Sequence, residues 1–406
     1  MYTSETNVFY CQIDSCRALK EYQQGGRCVR MLAVEEQFFE SNTLERKEGV
    51  KVFSIEVSYW TFLQLLYGRL PDVSKREKFD LLDESVEARS RWYRLKVEWD
   101  TTPRDGYAYP TFSEEQPRFF RLLSCGMASQ NIHLLSPPSL AEEVLNLSVP
   151  DGDLNASTPS TWTLSAFHVG QGMCSIVSNK KRAYLLDIGA GKPVIRPLYQ
   201  GKKIRNDLAR FIDGIDTIDI VLSHADQDHW RILAWDSTLR KKIRHIYVPK
   251  GAKSLAYKDP AIKFDIKAIE RLHVDLSANS WLDIYRSAPT QNDDNGHCLV
   301  TVFESAGKRA LIAGDYVYSR IRTDTNTYVA ELHAMDFDAV IVPHHGDAES
   351  ANEIVKARQG AVAFFSAGDN LACKHPTQVS RDSHINEKYR EICDNYCPDI
   401  KRVLLI

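Results

Sequence analysis

The chain has no apolar stretch approaching the roughly 18 residues that a membrane-crossing helix needs, so no membrane span is expected. Its first residues, Met1-Tyr2-Thr3-Ser4-Glu5-Thr6-Asn7, hold neither a basic segment nor an apolar one, and no secretory signal is expected. It also lacks a CxxC. The nine cysteines are an odd number, and their tightest spacings, Cys11/Cys16 and Cys393/Cys397, fit neither a zinc ribbon nor a thioredoxin-type motif. Free thiols in a reducing cytoplasm are the expectation. Histidine is nearly missing from the first 150 residues, where His133 stands alone of the 12 in the chain.

What is present is ordinary for a globular protein: 406 residues, 43% hydrophobic and 26% charged, enough for two or three domains. Residues 1–150 carry 18 Lys/Arg against 22 Asp/Glu, a net −4; the remainder carries 33 against 32, a net +1. Turn formers dominate residues 136–160, from Ser136-Pro137-Pro138-Ser139 to Ser157-Thr158-Pro159-Ser160, with a short helical patch over Leu140–Leu147. This divides an N-terminal domain, 1–135, from a C-terminal one, 161–406. The N-terminal domain reads as mixed α/β of unknown kind. Val52–Leu70 is apolar and aromatic, Lys75–Trp92 patterns as an amphipathic helix, and Tyr93–Trp99 alternates as a strand. It holds no catalytic constellation, and a protein-partner surface is one role it could serve.

The C-terminal half patterns as strands at 162–169, 174–177, 183–186, 218–222, 245–248, 298–303, 310–313, 339–342, 362–366 and 402–406. Helical spacing falls at 206–212, 261–272, 351–358 and 380–393. Early strands in hairpin order followed by strand–helix alternation predict two packed sheets with helices outside. Several strands end in potential metal ligands. After Ile218–Leu222 comes Ser223-His224-Ala225-Asp226-Gln227-Asp228-His229, four ligands within six residues. Carboxylates that close repel one another unless a cation sits among them, and mixed imidazole and carboxylate suit zinc or manganese over calcium. Asp187, Asp315, the His344-His345 pair and His375 stand at other strand exits, and ligands converging from strand ends are how α/β folds build sites.

The ordered set of motifs in residues 161–406 resembles the metallo-β-lactamase fold superfamily, and within it the ComEC-type competence branch. The motifs are Val169-Gly170-Gln171-Gly172, Leu185-x-Asp187-x-Gly189, His224-x-Asp226-x-Asp228-His229, Gly314-Asp315, Pro343-His344-His345-Gly346 and His375-Pro376. Asp226 stands where most of the superfamily has histidine. The resemblance implies an αββα sandwich with two divalent ions at one edge, zinc first and manganese as the alternative. It assigns His224 and Asp226 to the first ion, Asp228 and His229 to the second, and Asp315 to the bridge. His344 is the expected further ligand of the second ion, with His345 flanking the site or binding substrate. Asp187 supports the site. Asp228 could orient the attacking water or take its proton, and His375 could protonate the leaving oxygen or grip a phosphate.

Two such ions activate a water and stabilise charge on a phosphoryl oxygen, so the leading expectation is a cytoplasmic nuclease or phosphodiesterase on DNA or RNA. Hydrolysis of a small molecule (a cyclic nucleotide, phosphoester, lactone or thioester) is the alternative. A non-enzymatic partner-binding protein with a structural metal site is the third. The sequence departs from the family pattern at His168, Met173, Trp230 and Cys373-Lys374. In place of the loop histidine common in the superfamily it offers only His297. The basic runs Lys202-Lys203-x-Arg205 and Arg240-Lys241-Lys242-x-Arg244 read as solvated helix ends before they read as a phosphate track.

Overall fold

The computed structural model describes residues 5–22, 26–40, 50–68, 91–128, 144–148, 161–179, 181–262, 265–290, 296–368, 373–394 and 396–406. The chain divides into two compact units, one of residues 1–135 with 253–263, the other of 136–252 with 264–406.

Among the described residues the first unit has six strands: β1 (Thr6–Leu19), β2 (Arg27–Glu35), β3 (Phe53–Ser58), β4 (Tyr93–Asp100), β5 (Gly106–Pro110) and β6 (Arg118–Met127). They close into a barrel in the order β1-β2-β3-β5-β6-β4, with β4 pairing back onto β1. Closure removes the edges that would otherwise pair with other chains. Period-two burial drives it: Phe9, Cys11 and Ile13 of β1 meet Tyr93, Leu95 and Val97 of β4 in one core. The apolar stretch at 52–70 resolves into β3 and the helix Tyr59–Tyr67, which adds Phe62 and Leu63 to that core. Among the described residues this unit is a β-barrel with two short α-helices, which gives a form to the mixed α/β domain of unknown kind read from the sequence. The helix read at Lys75–Trp92 falls almost wholly outside the described residues.

Among the described residues the second unit has fifteen strands: β7 (Val144–Ser148), β8 (Thr163–His168), β9 (Cys174–Ser178), β10 (Arg182–Ile188), β11 (Thr217–Val221), β12 (Ile243–Pro249), β13 (Asp265–Ile269), β14 (Arg271–Ser277), β15 (Ser280–Arg286), β16 (Leu299–Ser305), β17 (Lys308–Ile312), β18 (Asp336–Ile341), β19 (Lys356–Phe365), β20 (Arg390–Cys393) and β21 (Lys401–Leu404). They form two sheets, ordered β13-β12-β11-β10-β9-β8-β21 and β20-β19-β18-β17-β16-β15-β14-β7. One core joins their facing sides: Leu164, Val177, Leu186 and Val221 from the first meet Leu282, Phe303, Ile312 and Phe364 from the second. The alternate residues of the second sheet, among them Val302, Leu311, Val340 and Phe365, lie under Ile321 and Leu332 of the helices Tyr318–Thr323 and Thr327–Leu332. Burial on both faces explains why these strands read as unbroken apolar runs. On the outer side of the first sheet, Phe167 packs against Phe211 of the helix Asp207–Asp213.

Four expected helices change. In place of the helix expected over 261–272, Asp265–Ile269 form β13 and β14 begins at Arg271, because Leu272, Val274 and Leu276 alternate into the core; Ile266 and Ile269 lie in β13. Residues 351–358 lead into β19. The helix at 380–393 runs only over Gln378–Asn386 and gives way to β20. The patch at 140–147 becomes β7, parallel to β14, with Leu145 and Leu147 packed against the core. Residues 136–160, read as a linker, thus supply a strand; the rest of that stretch lies outside the described residues.

Candidate metal centre

The candidate residues follow the C-terminal ends of parallel strands, β10 and β11 in one sheet and β17, β18 and β19 in the other. Tight backbone approaches hold these ends together. A Cβ on Gly189 would lie 1.5 Å from the Asp228 carbonyl oxygen, and one on Gly314 would lie 2.4 Å from the Ser223 side chain. Only glycine fits either place.

Asp187 sits beneath the ligand-rich turn, 2% exposed and itself in the left-handed region at φ 57°. Its Oδ1 accepts from the Ser223 backbone N–H at 2.7 Å, and its Oδ2 lies 2.8 Å from both Ser223 Oγ and His229 Nδ1. A carboxylate there fixes the proton on His229 Nδ1 and leaves Nε2 as an acceptor. His345 Nδ1 likewise donates to the Ser366 carbonyl at 2.8 Å. His224 Nδ1 lies 3.0 Å from Ser223 Oγ. The turn is closed by Trp230, whose Nε1 donates to the Ala225 carbonyl at 2.8 Å.

The free edges converge. His229 Nε2 lies 3.2 Å from Asp315 Oδ1 and 4.0 Å from Asp228 Oδ1. His345 Nε2 lies 3.2 Å from Asp228 Oδ2 and 3.8 Å from Asp315 Oδ1. On the other side, His224 Nε2 lies 3.8 Å from Asp315 Oδ2 and 3.6 Å from Asp226 Oδ2. Two overlapping donor groups result, His224/His229/Asp315 and Asp228/His229/His345. The Nε2 atoms of His224, His229 and His345, and Asp315 Oδ1, are buried and find no hydrogen-bond partner among the described residues. Buried polar atoms are ordinarily paired, so four orphans shared between two adjoining imidazole–carboxylate groups fit divalent cations.

The charges follow. Burial alone would lower the His229 imidazole, but the Asp315 and Asp187 carboxylates outweigh it and hold it well above its ordinary value. Burial would raise Asp315, yet the surrounding His229, His345 and His344 hold it well below. Asp228 is lowered in the same way against its burial, by His345 and His229.

His344 and His345 exchange the places expected of them. His345, 2% exposed, joins Asp228 and His229. His344 turns the other way, with Nδ1 2.9 Å from Asp347 Oδ2 and Nε2 3.9 Å from Asp315 Oδ2. Both residues are in the left-handed region, at φ 46° and 56°, and that twist sends adjacent rings to different sides. His375 closes the group, its ring 5.7 Å from that of His344 and its Nδ1 3.3 Å from Gln171 Nε2. Burial, with His345 and His344 nearby, pushes it down to about 4. His297 stands in neither donor group; its Nδ1 lies 2.9 Å from Arg286 Nη2. Sequence reasoning missed Ser366, Asp347 and Ser350. Asp347 alone carried a signal, as an acid directly after the His-His-Gly turn.

The second basic run is engaged internally. Arg240 Nη1 donates to the Leu233 and Ala234 carbonyls, Lys242 Nζ to those of Ile212, Asp213 and Ile215, and Arg244 pairs with Asp219.

No family model matches the chain, and no curated protein matches it. Among solved structures it is similar to a mutant of the CmlA β-hydroxylase, at 13% identity over 61% of this chain with a TM-score of 0.37; the chain spans 54% of that one. It is similar to the metallo-β-lactamase fold protein YhfI from Bacillus subtilis, at 11% identity over 60% of this chain and 100% of that one, TM-score 0.36. A diphosphatase of the PhnP family follows at 10% identity, over 59% of this chain and 97% of that one, TM-score 0.34.

Proposed function

We propose that residues 161–406 form an αββα metallo-β-lactamase-fold hydrolase of the ComEC-type branch, a phosphodiesterase on DNA or RNA that works with two divalent ions in the cytoplasm. One observation carries the reading. Three buried imidazoles, each with Nδ1 engaged and Nε2 unpartnered, converge on the two oxygens of Asp315.

In this reading His224, Asp226 and Asp315 would hold one ion, and Asp228, His229 and His345, with Asp315, would hold the other. When bound, such a pair lowers the pKa of a water and stabilises charge growing on a phosphoryl oxygen. Asp187 and Ser366 keep the His229 and His345 rings in the tautomer that presents Nε2. Asp228 is placed to accept a proton from the attacking water. His375 stands at the same edge, neutral at pH 7, where a neutral Nε2–H or Nε2 can meet a substrate oxygen.

The small-molecule reading draws on a different observation. Arg240, Lys242 and Arg244 direct donors to the protein's own carbonyls and to Asp219, which leaves fewer of that run's charges for a phosphate backbone. Incubation of purified protein with labelled single- and double-stranded DNA and RNA, and with bis(p-nitrophenyl) phosphate, with Mn²⁺, Zn²⁺ or EDTA, separates the two. Metal-dependent cleavage of a polymer supports the nuclease, cleavage of the small diester alone supports the alternative, and no cleavage under any metal rejects both.

A further inference from the structure

We propose that His344 contacts the substrate, gripping an anionic oxygen beside the Asp315 bridge, and that Asp347 is its positioning residue. The inference rests on the hydrolase reading above and deepens it.

The four imidazoles around Asp315 are not equivalent. The side chains of His224, His229 and His345 are 4%, 0% and 2% exposed, whereas that of His344 is 32% exposed. Three are enclosed as ligands are; the fourth opens to whatever approaches. Its place as a ligand of the second ion is already filled by His345, which reaches Asp228 at 3.2 Å.

The exposed ring is nevertheless held. His344 Nδ1 donates to Asp347 Oδ2 at 2.9 Å. Asp347 Oδ1 in turn accepts from the Ser350 backbone N–H at 2.8 Å and lies 2.7 Å from Ser350 Oγ. Ser350 Oγ also lies 2.7 Å from the Pro343 carbonyl, at the start of the same turn. The path from Pro343 through Ser350 and Asp347 to His344 closes on itself and locks the ring's tautomer and orientation. Because a carboxylate only accepts, Nδ1 must carry its proton and Nε2 is the edge left for another partner. That edge faces Asp315 Oδ2 at 3.9 Å, so an oxygen seated beside the bridge would lie within its reach. The turn holds His344, His345 and Gly346 all at positive φ, at 46°, 56° and 76°. Successive left-handed residues bearing side chains are uncommon and mark sites where orientation matters. A solvated surface histidine would need neither this turn nor the buried carboxylate behind it.

The test uses the full chain loaded with Mn²⁺, with inorganic phosphate and bis(p-nitrophenyl) phosphate as probes. In Asp347→Asn and His344→Asn, metal content is expected to stay at the wild-type count. Phosphate affinity by calorimetry should fall by about 10-fold, and kcat/KM by on the order of 10–100-fold, the usual range for a group orienting an active-site histidine. Asp347→Glu should recover part of both. A fall in metal count in His344→Asn would make His344 a ligand and overturn the inference. So would unchanged phosphate affinity and kcat/KM in both variants. Should Asp347→Asn not fold, Ser350→Ala, which loosens the same carboxylate, serves in its place. A wild type that binds phosphate through His344 without hydrolysing any diester rejects the hydrolase reading and keeps this one. A wild type that does neither rejects both.

Discussion

Each unit of this chain buries a cluster of charged side chains, and the two clusters are built on opposite rules. In the barrel, Arg30 donates to Glu56 at 2.8 Å and reaches Glu21 at 3.4 Å, Tyr107 donates to Glu56, and Lys20 meets Ser58 at 2.5 Å. Cations of the protein itself answer the carboxylates. In the second unit, Asp187, Asp228 and Asp315 are answered by imidazoles and Ser223. Donor atoms of that cluster point at one another across gaps of 3–4 Å. A buried ion pair completed within the chain is a structural device. A buried set of acceptors that face a common point is a binding site waiting for a cation. The contrast separates two features that look alike in a composition table.

The largest way to test it is to remove a carboxylate from the open cluster. Asp228→Ala should cut hydrolytic turnover on the order of 10³-fold or more, the scale of losing a charge-stabilising group at a reacting centre. Thermal unfolding should change little, since the side chain of Asp228 is 30% exposed and its partners His229 and His345 keep Asp315 beside them. The same operation on the closed cluster should do the reverse. Arg30→Met leaves Glu56 and Glu21 buried without their cation, at a cost of about 3–5 kcal/mol by denaturant unfolding, while metal content stays unchanged.

Asp187 lies between these cases, because it supports a ligand without joining it. Asp187→Asn should weaken metal affinity by about 10–100-fold in a chelator competition, with the fold retained. His384 supplies the contrast among histidines. It is fully buried and satisfied on both nitrogens, by the Ser380 carbonyl and the Tyr318 hydroxyl. Burial pushes it down to about 4 from an ordinary 6.5. The unfolded chain therefore binds a proton between those values that the folded chain refuses. Its contribution is full above pH 6.5 and is lost as pH falls toward 4, to the extent of about 3 kcal/mol. In His384→Gln the unfolding free energy should lose that part of its pH dependence. The smallest effect belongs to the basic run. Lys242→Ala, which frees three carbonyls, should cost about 1 kcal/mol and leave nucleic-acid binding as it was.

Much of the second unit could be read in the sequence because its strands are buried on both faces. Val340-Ile341-Val342 or Leu311-Ile312-Ala313 admit few other readings, and the ligands stand directly at their ends. Where burial is one-sided, the signal thinned. Ile262, Ile266 and Ile269 sit at helical spacing although Ile266 and Ile269 lie in β13, and β7 is too short to show a period. The barrel hides for a mixed reason: β1, β4 and β6 bury alternate residues while β2, β3 and β5 are buried almost throughout, so no one period runs through it, and only Tyr93–Trp99 showed alternation clearly. At the site, residue types were legible and directions were not. Nothing in Pro343-His344-His345-Gly346 tells which ring points inward; two left-handed residues decide it. Ser366 and Ser350 act through bonds that exist only once the strands are paired.

The central claim is that the open cluster holds two divalent ions. Metal content of the purified chain, measured by mass spectrometry after dialysis against trace Zn²⁺ or Mn²⁺, tests it most directly. Two ions per chain are expected, falling below one in Asp315→Ala, since one oxygen of that carboxylate faces His224 and the other faces His229 and His345. A content well below one per wild-type chain, with thermal stability unchanged by chelator, would contradict it.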